Sequence, residues 1–316
     1  MNNAEKIAVL FPGQGSQYLG MGKDFLETGS RAREMMDQAE KISGLPLARL
    51  CLEGPMEELT RALHLQPALT VINLICWQAL ADSGLKVSSV AGHSLGEYSA
   101  LCASGILSFE ETMRLVTVRG RLMEREGRAN PGGMRAVIGL TLSQVQEILA
   151  DLSPELGGLA IGNYNSEKQV VLSGALAALD AAAVQVKARH GKIIPLNVSI
   201  ANHSPLVAGA VADFSREMEK VDFHPPAIPL LFNATGKEET EPDEVRRIMA
   251  RQIASTVRWY EIMNRLLEQE VRIFIEVGPK TVLSGLLKKI VPPGYQYQSF
   301  QFDSPRLLNE FLDGKR

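Results

Sequence analysis

The sequence predicts an α/β protein with a large lobe built on a parallel sheet and a smaller lobe inserted into it. Three observations predict this. Short apolar runs alternate with helical periodicity towards both ends of the chain, the middle follows a different order, and a turn-rich stretch, Gly127-Arg128-Ala129-Asn130-Pro131-Gly132-Gly133, divides the two patterns.

Residues 7–11 form a short apolar run stopped by Pro12-Gly13, the pattern of a buried parallel strand. Helical periodicity follows over 30–42 and 67–83, then a strand, sharp turn and helix over 88–104, and a further helix over 109–125. After the turn-rich stretch come a strand at 135–140, a helix at 142–152, strands at 159–163 and 169–173, a helix at 176–190 and a strand at 192–196. That order, βαββαβ, is a ferredoxin-like unit. Helices at 205–220, 243–255 and 259–270 then alternate with strands at 229–232 and 272–277, which restores the first pattern. The large lobe is thus expected over 1–126 and 198–316 and the ferredoxin-like lobe over 127–197, with a ligand cleft between them. There is no internal repeat, and the Ala-rich helix near 175–183 is the one biased segment.

With 316 residues, 45% hydrophobic and 22% charged, the chain is long enough for more than one core. The net charge of −3 and the absence of a basic run argue against a nucleic-acid groove or a membrane-surface stripe. Cys51, Cys76 and Cys102 are too few and too scattered for a disulfide framework and read as buried thiols of a reducing compartment. No metal is expected. Neither the start of the chain nor any later segment fits a signal peptide or a membrane span, so a soluble, cytoplasmic protein is expected.

Gly92-His93-Ser94-Leu95-Gly96 carries the chemistry. A Gly-x-Ser-x-Gly pentapeptide between a small apolar run and a helix is the composition of a nucleophile elbow, and it makes the core of the large lobe α/β-hydrolase-like. Its neighbours must be small because the serine sits on a strained strand-to-helix turn. The turn also aims Ser94 at the N-terminus of the next helix, where free N–H groups can hold an oxyanion.

A serine hydroxyl needs a base to take its proton, and five histidines compete for that role. The side chain of His93 diverges from that of its neighbour Ser94 at the turn. His64 and His190 lie in helical or helix-end contexts, and His224 precedes Pro225-Pro226. His203, in Ala201-Asn202-His203-Ser204-Pro205, sits between a strand-like segment and a helix start, a junction that lines the ligand crevice in α/β folds.

Arg119 falls in the apolar sector of its helix with Leu115, Val116, Val118, Leu122 and Met123, while Arg114, Arg121 and Arg125 lie opposite. A guanidinium cannot shed its charge, so this position implies an internal salt bridge, a snorkelling side chain or a bidentate clamp for a substrate carboxylate in the cavity of Ser94. Phe11-Pro12-Gly13-Gln14-Gly15-Ser16-Gln17 is not a dinucleotide loop, because Tyr18 stands where the third glycine is required. Such a turn can instead offer the Gln14 backbone N–H to an oxyanion.

Phe11–Gln17, Gly92–Leu101, Arg119-Gly120, His203-Ser204, Gln252 and Ile275–Pro279, in this order and spacing, make the chain resemble the malonyl-CoA:acyl carrier protein transacylases, including the acyltransferases of fatty acid and polyketide synthases. The resemblance runs from about residue 6 to about 300. It implies Ser94 as nucleophile, His203 as its base and the Gln252 backbone carbonyl orienting the imidazole. It also implies an oxyanion hole from the Gln14 and Leu95 N–H groups, and Arg119 on the malonyl carboxylate. Malonyl would pass from coenzyme A, a substrate, to the phosphopantetheine thiol of an acyl carrier protein, with no cofactor bound to this chain.

Three departures from the family pattern stand out. The residue before the active-site histidine, Phe or Ser in synthase domains that choose malonyl or methylmalonyl, is Asn202 here, so substrate selectivity is assigned to it. Thr256 replaces a frequent Pro before Val257-Arg258-Trp259, and Gly278-Pro279-Lys280-Thr281 replaces Gly-Pro-Gly-Lys. Three rival functions compete with this one. An acyl hydrolase acting on acyl carrier protein thioesters is disfavoured by Arg119, and a conventional esterase by the mid-chain position of His203. A non-catalytic docking module is disfavoured by the intact Ser94, His203 and Arg119 set.

Overall fold

A computed structural model describes residues 5–152 and 157–314. The first four residues, on which the reading of the chain start partly rested, and the outermost ends of the expected lobes lie outside the described residues.

The large lobe begins with β1 (Lys6–Phe11), α1 (Lys23–Thr28), α2 (Ser30–Ser43), α3 (Leu47–Leu52), α4 (Met56–Leu59) and α5 (Ala62–Asp82). It continues through β2 (Ser89–Gly92), α6 (Gly96–Ala103) and α7 (Phe109–Ala129). The small lobe holds β3 (Gly133–Ile138), α8 (Leu142–Asp151), β4 (Ala160–Ser166), β5 (Gln169–Gly174), α9 (Leu176–Ala188) and β6 (Lys192–Pro195). The chain returns through a 3-10 turn (Pro205–Val207), α10 (Gly209–Met218), β7 (Leu230–Leu231), α11 (Pro242–Gln252) and α12 (Trp259–Glu268). It ends with β8 (Val271–Val277), α13 (Val282–Ile290), β9 (Gln298–Phe302) and α14 (Pro305–Asp313).

The first sheet is parallel throughout, in the order β7-β2-β1-β8-β9. Both faces of β1 are buried: Ile7, Val9 and Phe11 join one apolar cluster, Ala8 and Leu10 the other. This explains why β1 reads as a continuous apolar run rather than an alternation. Phe11 pairs with Gly92, so β1 and β2 end level and the loops that follow them leave the sheet side by side. Those loops carry Gln14 and Ser94, in the crevice outside the carboxyl ends of the strands.

The second sheet is antiparallel, in the order β4-β5-β3-β6, as expected of a βαββαβ unit. One face packs Val137, Val170 and Leu172 against Leu179 and Val186 of α9. The other face presents Met134 and Val171 to the cavity of Ser94. The large lobe grips the edge of this sheet: Val257 N–H donates to Gly162 O, Tyr164 N–H to Val257 O, and the Thr256 hydroxyl to Ile161 O at 2.7 Å. The departure at Thr256 thus supplies a hydrogen bond between lobes that proline lacks the hydroxyl to make.

The structure corrects several boundaries. Helix α7 runs on through Ala129, so the turn between lobes starts at Asn130 rather than Gly127. The helix expected over 205–220 opens as a 3-10 turn, because Pro205 sits at its start and the Ser204 hydroxyl accepts from Leu206 N–H. Strand β4 continues through Asn163 and Asn165, polar residues that face the site. The short helices α1, α3 and α4 cover four to six residues, too few to show a helical period. Beyond 277 the expected pattern also lacked α13, β9 and α14. Cys51 and Cys76 are buried as expected, whereas Cys102 is half-buried; all three are free thiols.

Candidate active site

The elbow forms as its composition requires. Ser94 adopts φ 52°, left-handed backbone that non-glycine residues reach at a cost. A Cβ on Gly92 would overlap the carbonyl of Gly96, so the pentapeptide needs glycine for close approach. Asn233, just past the end of β7, braces the turn. Its Oδ1 accepts from Ser94 N–H and its Nδ2 donates to Gly92 O, both at 2.7 Å.

His203 is the histidine that meets the serine. Its Nε2 lies 2.7 Å from Ser94 Oγ, and its own φ is 61°. On the other side of the ring, Nδ1 lies 2.9 Å from Ser255 O and 3.2 Å from Gln252 O. Two carbonyls therefore stand where a Ser-His-Asp triad has its acid, and both require Nδ1 to carry the proton. The Gln252 assignment is shared with Ser255, which lies closer. Burial, reinforced by the nearby Arg119 charge, pushes the His203 imidazole down to about 3 against the pull of the carbonyl hydrogen bonds. The ring is therefore neutral near pH 7, the form that can accept a proton from Ser94.

The other histidines turn elsewhere. His93 Nε2 lies 2.8 Å from Asn165 Oδ1, with its ring edge-on to Trp259. His64 Nδ1 lies 2.9 Å from Glu58 O. His190 follows α9, and His224 bonds through its backbone N–H to Ile106 O.

Gln14 lines the same cavity as Ser94. Gly13, beside it, is pressed onto the elbow: a Cβ there would overlap His93 O and stand 3.5 Å from Leu95 N. The Gln14 turn therefore lies against the elbow, close to the Leu95 amide, at the end of the sheet.

Arg119 is buried, with 1% of its surface exposed. Its Nη1 donates to Gln66 Oε1 at 2.8 Å, its Nη2 to Gln252 Oε1 at 3.3 Å, and the guanidinium lies over the Tyr98 ring. Among the described residues no carboxylate comes within ion-pair distance of it, and its Nε has no hydrogen-bond partner. The salt-bridge and snorkelling readings of Arg119 both fail. The clamp reading meets a layer of amides: neither Arg119 nor Gln252 lines the cavity of Ser94, and Gln252 links the two, its Oε1 accepting from Arg119 and its Nε2 donating to Ser94 O at 2.9 Å.

The cavity beside Ser94 measures about 380 Å³ and lies between the lobes. Gln14, His93, Asn163, Asn165, Asn202 and His203 supply its polar wall, and Met134, Val171, Leu196, Val198, Leu283 and Leu286 its apolar wall. Asn202 keeps its side-chain Oδ1 without a hydrogen-bond partner among the described residues, while its backbone carbonyl accepts from the Ser173 hydroxyl.

Sequence reasoning missed Asn233, Asn165, Ser255 and Glu97. Glu97 is fully buried on α6; its Oε1 accepts from Asn233 N–H at 2.6 Å and its Oε2 from Gln252 Nε2 at 2.9 Å. Burial pushes its carboxyl up, while the two N–H donors and Arg119 pull it back towards the ionised form in which both oxygens accept. The signal was present for Glu97, since a charged residue inside an otherwise apolar helix singled out Arg119. Asn233 had a weaker one, a polar residue at the carboxyl end of a strand.

The Acyl transferase domain family matches residues 9–293. A malonyl CoA-acyl carrier protein transacylase of Bacillus subtilis (strain 168) is 36% identical over 90% of both chains. A polyketide biosynthesis malonyl CoA-acyl carrier protein transacylase of the same organism, PksC, is 37% identical over 90% of this chain and 96% of its own. Among solved structures, an acyl carrier protein S-malonyltransferase of Vibrio cholerae superposes with a TM-score of 0.91 at 33% identity, covering 97% of this chain and 99% of that one. An α/β lobe with a Ser94–His203 pair at the end of its parallel sheet, an inserted antiparallel lobe and these similarities agree: the chain belongs to the malonyl-CoA:acyl carrier protein transacylase family.

Proposed function

We propose that this protein transfers malonyl from coenzyme A to the phosphopantetheine thiol of an acyl carrier protein, in fatty acid or polyketide synthesis. The observation that carries the reading is a nucleophile and base in contact, Ser94 Oγ and His203 Nε2 at 2.7 Å, one residue away from a buried guanidinium with no carboxylate at ion-pair distance among the described residues. The first feature supports acyl transfer through serine. The second supports an acyl group that brings its own carboxylate.

In the first half-reaction Ser94 Oγ attacks the thioester carbonyl while His203 Nε2 takes its proton. The Gln14 and Leu95 N–H groups hold the oxyanion of the tetrahedral intermediate. On its collapse the carbon–sulfur bond breaks, and His203 returns the proton to the leaving thiolate. In the second half-reaction the carrier thiol gives its proton to His203 and attacks the malonyl ester; the intermediate then collapses with cleavage of the bond from the carbonyl carbon to Ser94 Oγ, and His203 returns the proton to that oxygen. Coenzyme A enters and leaves as a substrate, and the reaction as written needs no resident cofactor. Asn202, next to the base and with its Oδ1 unpartnered among the described residues, is assigned to selectivity at the α-carbon. The reading extends to a cytoplasmic location, supported by three cysteines held as free thiols.

Intact-mass measurement with malonyl-CoA tests the proposal. A malonyl adduct on Ser94 that disappears on adding phosphopantetheinylated carrier protein, with matching malonylation of the carrier, is the expected result. Free malonate as the main product would make the protein a hydrolase, and no adduct at all would make it a scaffold.

A further inference from the structure

The proposed reaction uses Ser94, His203 and Arg119 and leaves a buried carboxylate, Glu97, without a role. Two residues with no part in bond-making, Glu97 and Asn233, are joined to each other, to the elbow and to Gln252 by four hydrogen bonds, and Gln252 makes a fifth to Ser94 O. The Asn233 carboxamide spans the strained turn, taking the Ser94 N–H on one side and giving its own N–H to Gly92 O on the other. Glu97 Oε1 fixes Asn233 through its backbone N–H. Glu97 Oε2 fixes the Gln252 amide, which itself holds Ser94 O. Both residues are at most 1% exposed, so water cannot replace these contacts.

Resting on the acyl-transfer reading above, we infer that Glu97 and Asn233 are a positioning pair: through the Asn233 carboxamide and the Gln252 amide they hold the Ser94 backbone in the conformation that keeps Oγ against His203. The argument is one of valence and conformation. A residue at φ 52° persists where its surroundings over-determine it, and here both amide groups flanking Ser94, its own N–H and C=O, are tied to this pair. The same contacts fix the Gln252 segment, whose backbone carbonyl faces His203 Nδ1. One carboxylate thus aligns the nucleophile and the acceptor that orients the base.

Three chains test this: Glu97→Gln, Asn233→Ala and the double variant, each assayed well below its measured unfolding temperature. Glu97→Gln keeps the side-chain volume but turns one acceptor into a donor that faces an N–H. The rate of Ser94 malonylation is expected to fall roughly 10- to 100-fold in each single variant, as small misplacements of reacting groups do, with KM for malonyl-CoA within about twofold. The double variant should lose no more than the larger single loss, because both act on one element. Labelling of Ser94 by a fluorophosphonate should slow in parallel. That probe reads the elbow without any malonyl chemistry, so failure of this pair and failure of the transfer reading are separate results.

Wild-type acylation and labelling rates in a folded Glu97→Gln chain would overturn the inference, as would a loss confined to KM or multiplicative losses in the double variant. If Asn233→Ala does not fold, Glu97→Gln decides alone on the same two rates. A Glu97→Gln chain that is less stable yet acylates normally would make the pair structural and refute it.

Discussion

Ser94 Oγ and His203 Nε2 stand 2.7 Å apart although 109 positions separate them, and both residues hold left-handed backbone, at φ 52° and 61°. Nucleophile and base are each presented by a strained turn rather than by a regular element. Such strain persists where tertiary contacts enforce it, and here Asn233 braces one turn while the carbonyls of Gln252 and Ser255 align the imidazole of the other.

Removing either partner separates attack from binding. Ser94→Ala should form no malonyl adduct, and His203→Ala should slow adduct formation by about 10²–10⁴, the usual contribution of a positioned base. Rapid-quench intact-mass measurement reads both. A folded His203→Ala chain acylated at the normal rate would show that the base lies elsewhere.

Arg119→Ala should trade selectivity for breadth. A buried charge-assisted clamp contributes roughly 2–5 kcal/mol, so a preference of about 10²–10³ for malonyl over neutral acyl groups should collapse and acetyl-CoA should become a substrate. The variant also removes a buried charge with no ion-pair partner among the described residues, so it is expected to fold. Unchanged malonyl kinetics would make Arg119 a structural residue held by Gln66 and Gln252.

Asn202 bears on the choice between malonyl and methylmalonyl. One methyl group in a pocket gives about 1–3 kcal/mol of discrimination, and Asn202 is smaller than Phe and larger than Ser. Malonyl is therefore expected to win by roughly 10- to 100-fold in kcat/KM when both thioesters compete for one carrier protein. Equal transfer, or a preference for methylmalonyl, would contradict this.

His203 should also leave a mark on stability. Its imidazole is held down to about 3 in the fold, while the unfolded chain returns it to about 6.5. Between those values the unfolded state binds a proton that the folded state refuses. Stability should therefore fall as pH drops below about 6.5, by up to about 1.4 kcal/mol per unit from this group. His203→Gln should flatten that part of the curve in denaturant titrations between pH 4 and 7. Parallel curves for the two chains would show that His203 does not carry the slope.

Much of this protein was legible in one dimension because its logic there is local. Gly92 and Gly96 must be glycine for the elbow to close, so the pentapeptide betrays the nucleophile, and alternation of apolar runs with helical periods betrays the α/β lobe and its βαββαβ insert. Arg119 was legible for a related reason, a charge out of place on an apolar helix face. Their partners were legible less directly. His203 stood out by its junction position and by the resemblance, but its meeting with Ser94 depends on how loops 109 positions apart converge at one end of the sheet. That Arg119 lies behind amides rather than open to the cavity depends on Gln66 and Gln252, brought in from two other helices. Asn233 and Glu97 are ordinary polar residues until the sheet sets β7 beside β2. Backbone conformation and burial pattern are short-range properties that a sequence writes down. A hydrogen bond between distant residues exists once packing has removed water and left a single available partner, and that was decided by the tertiary structure alone.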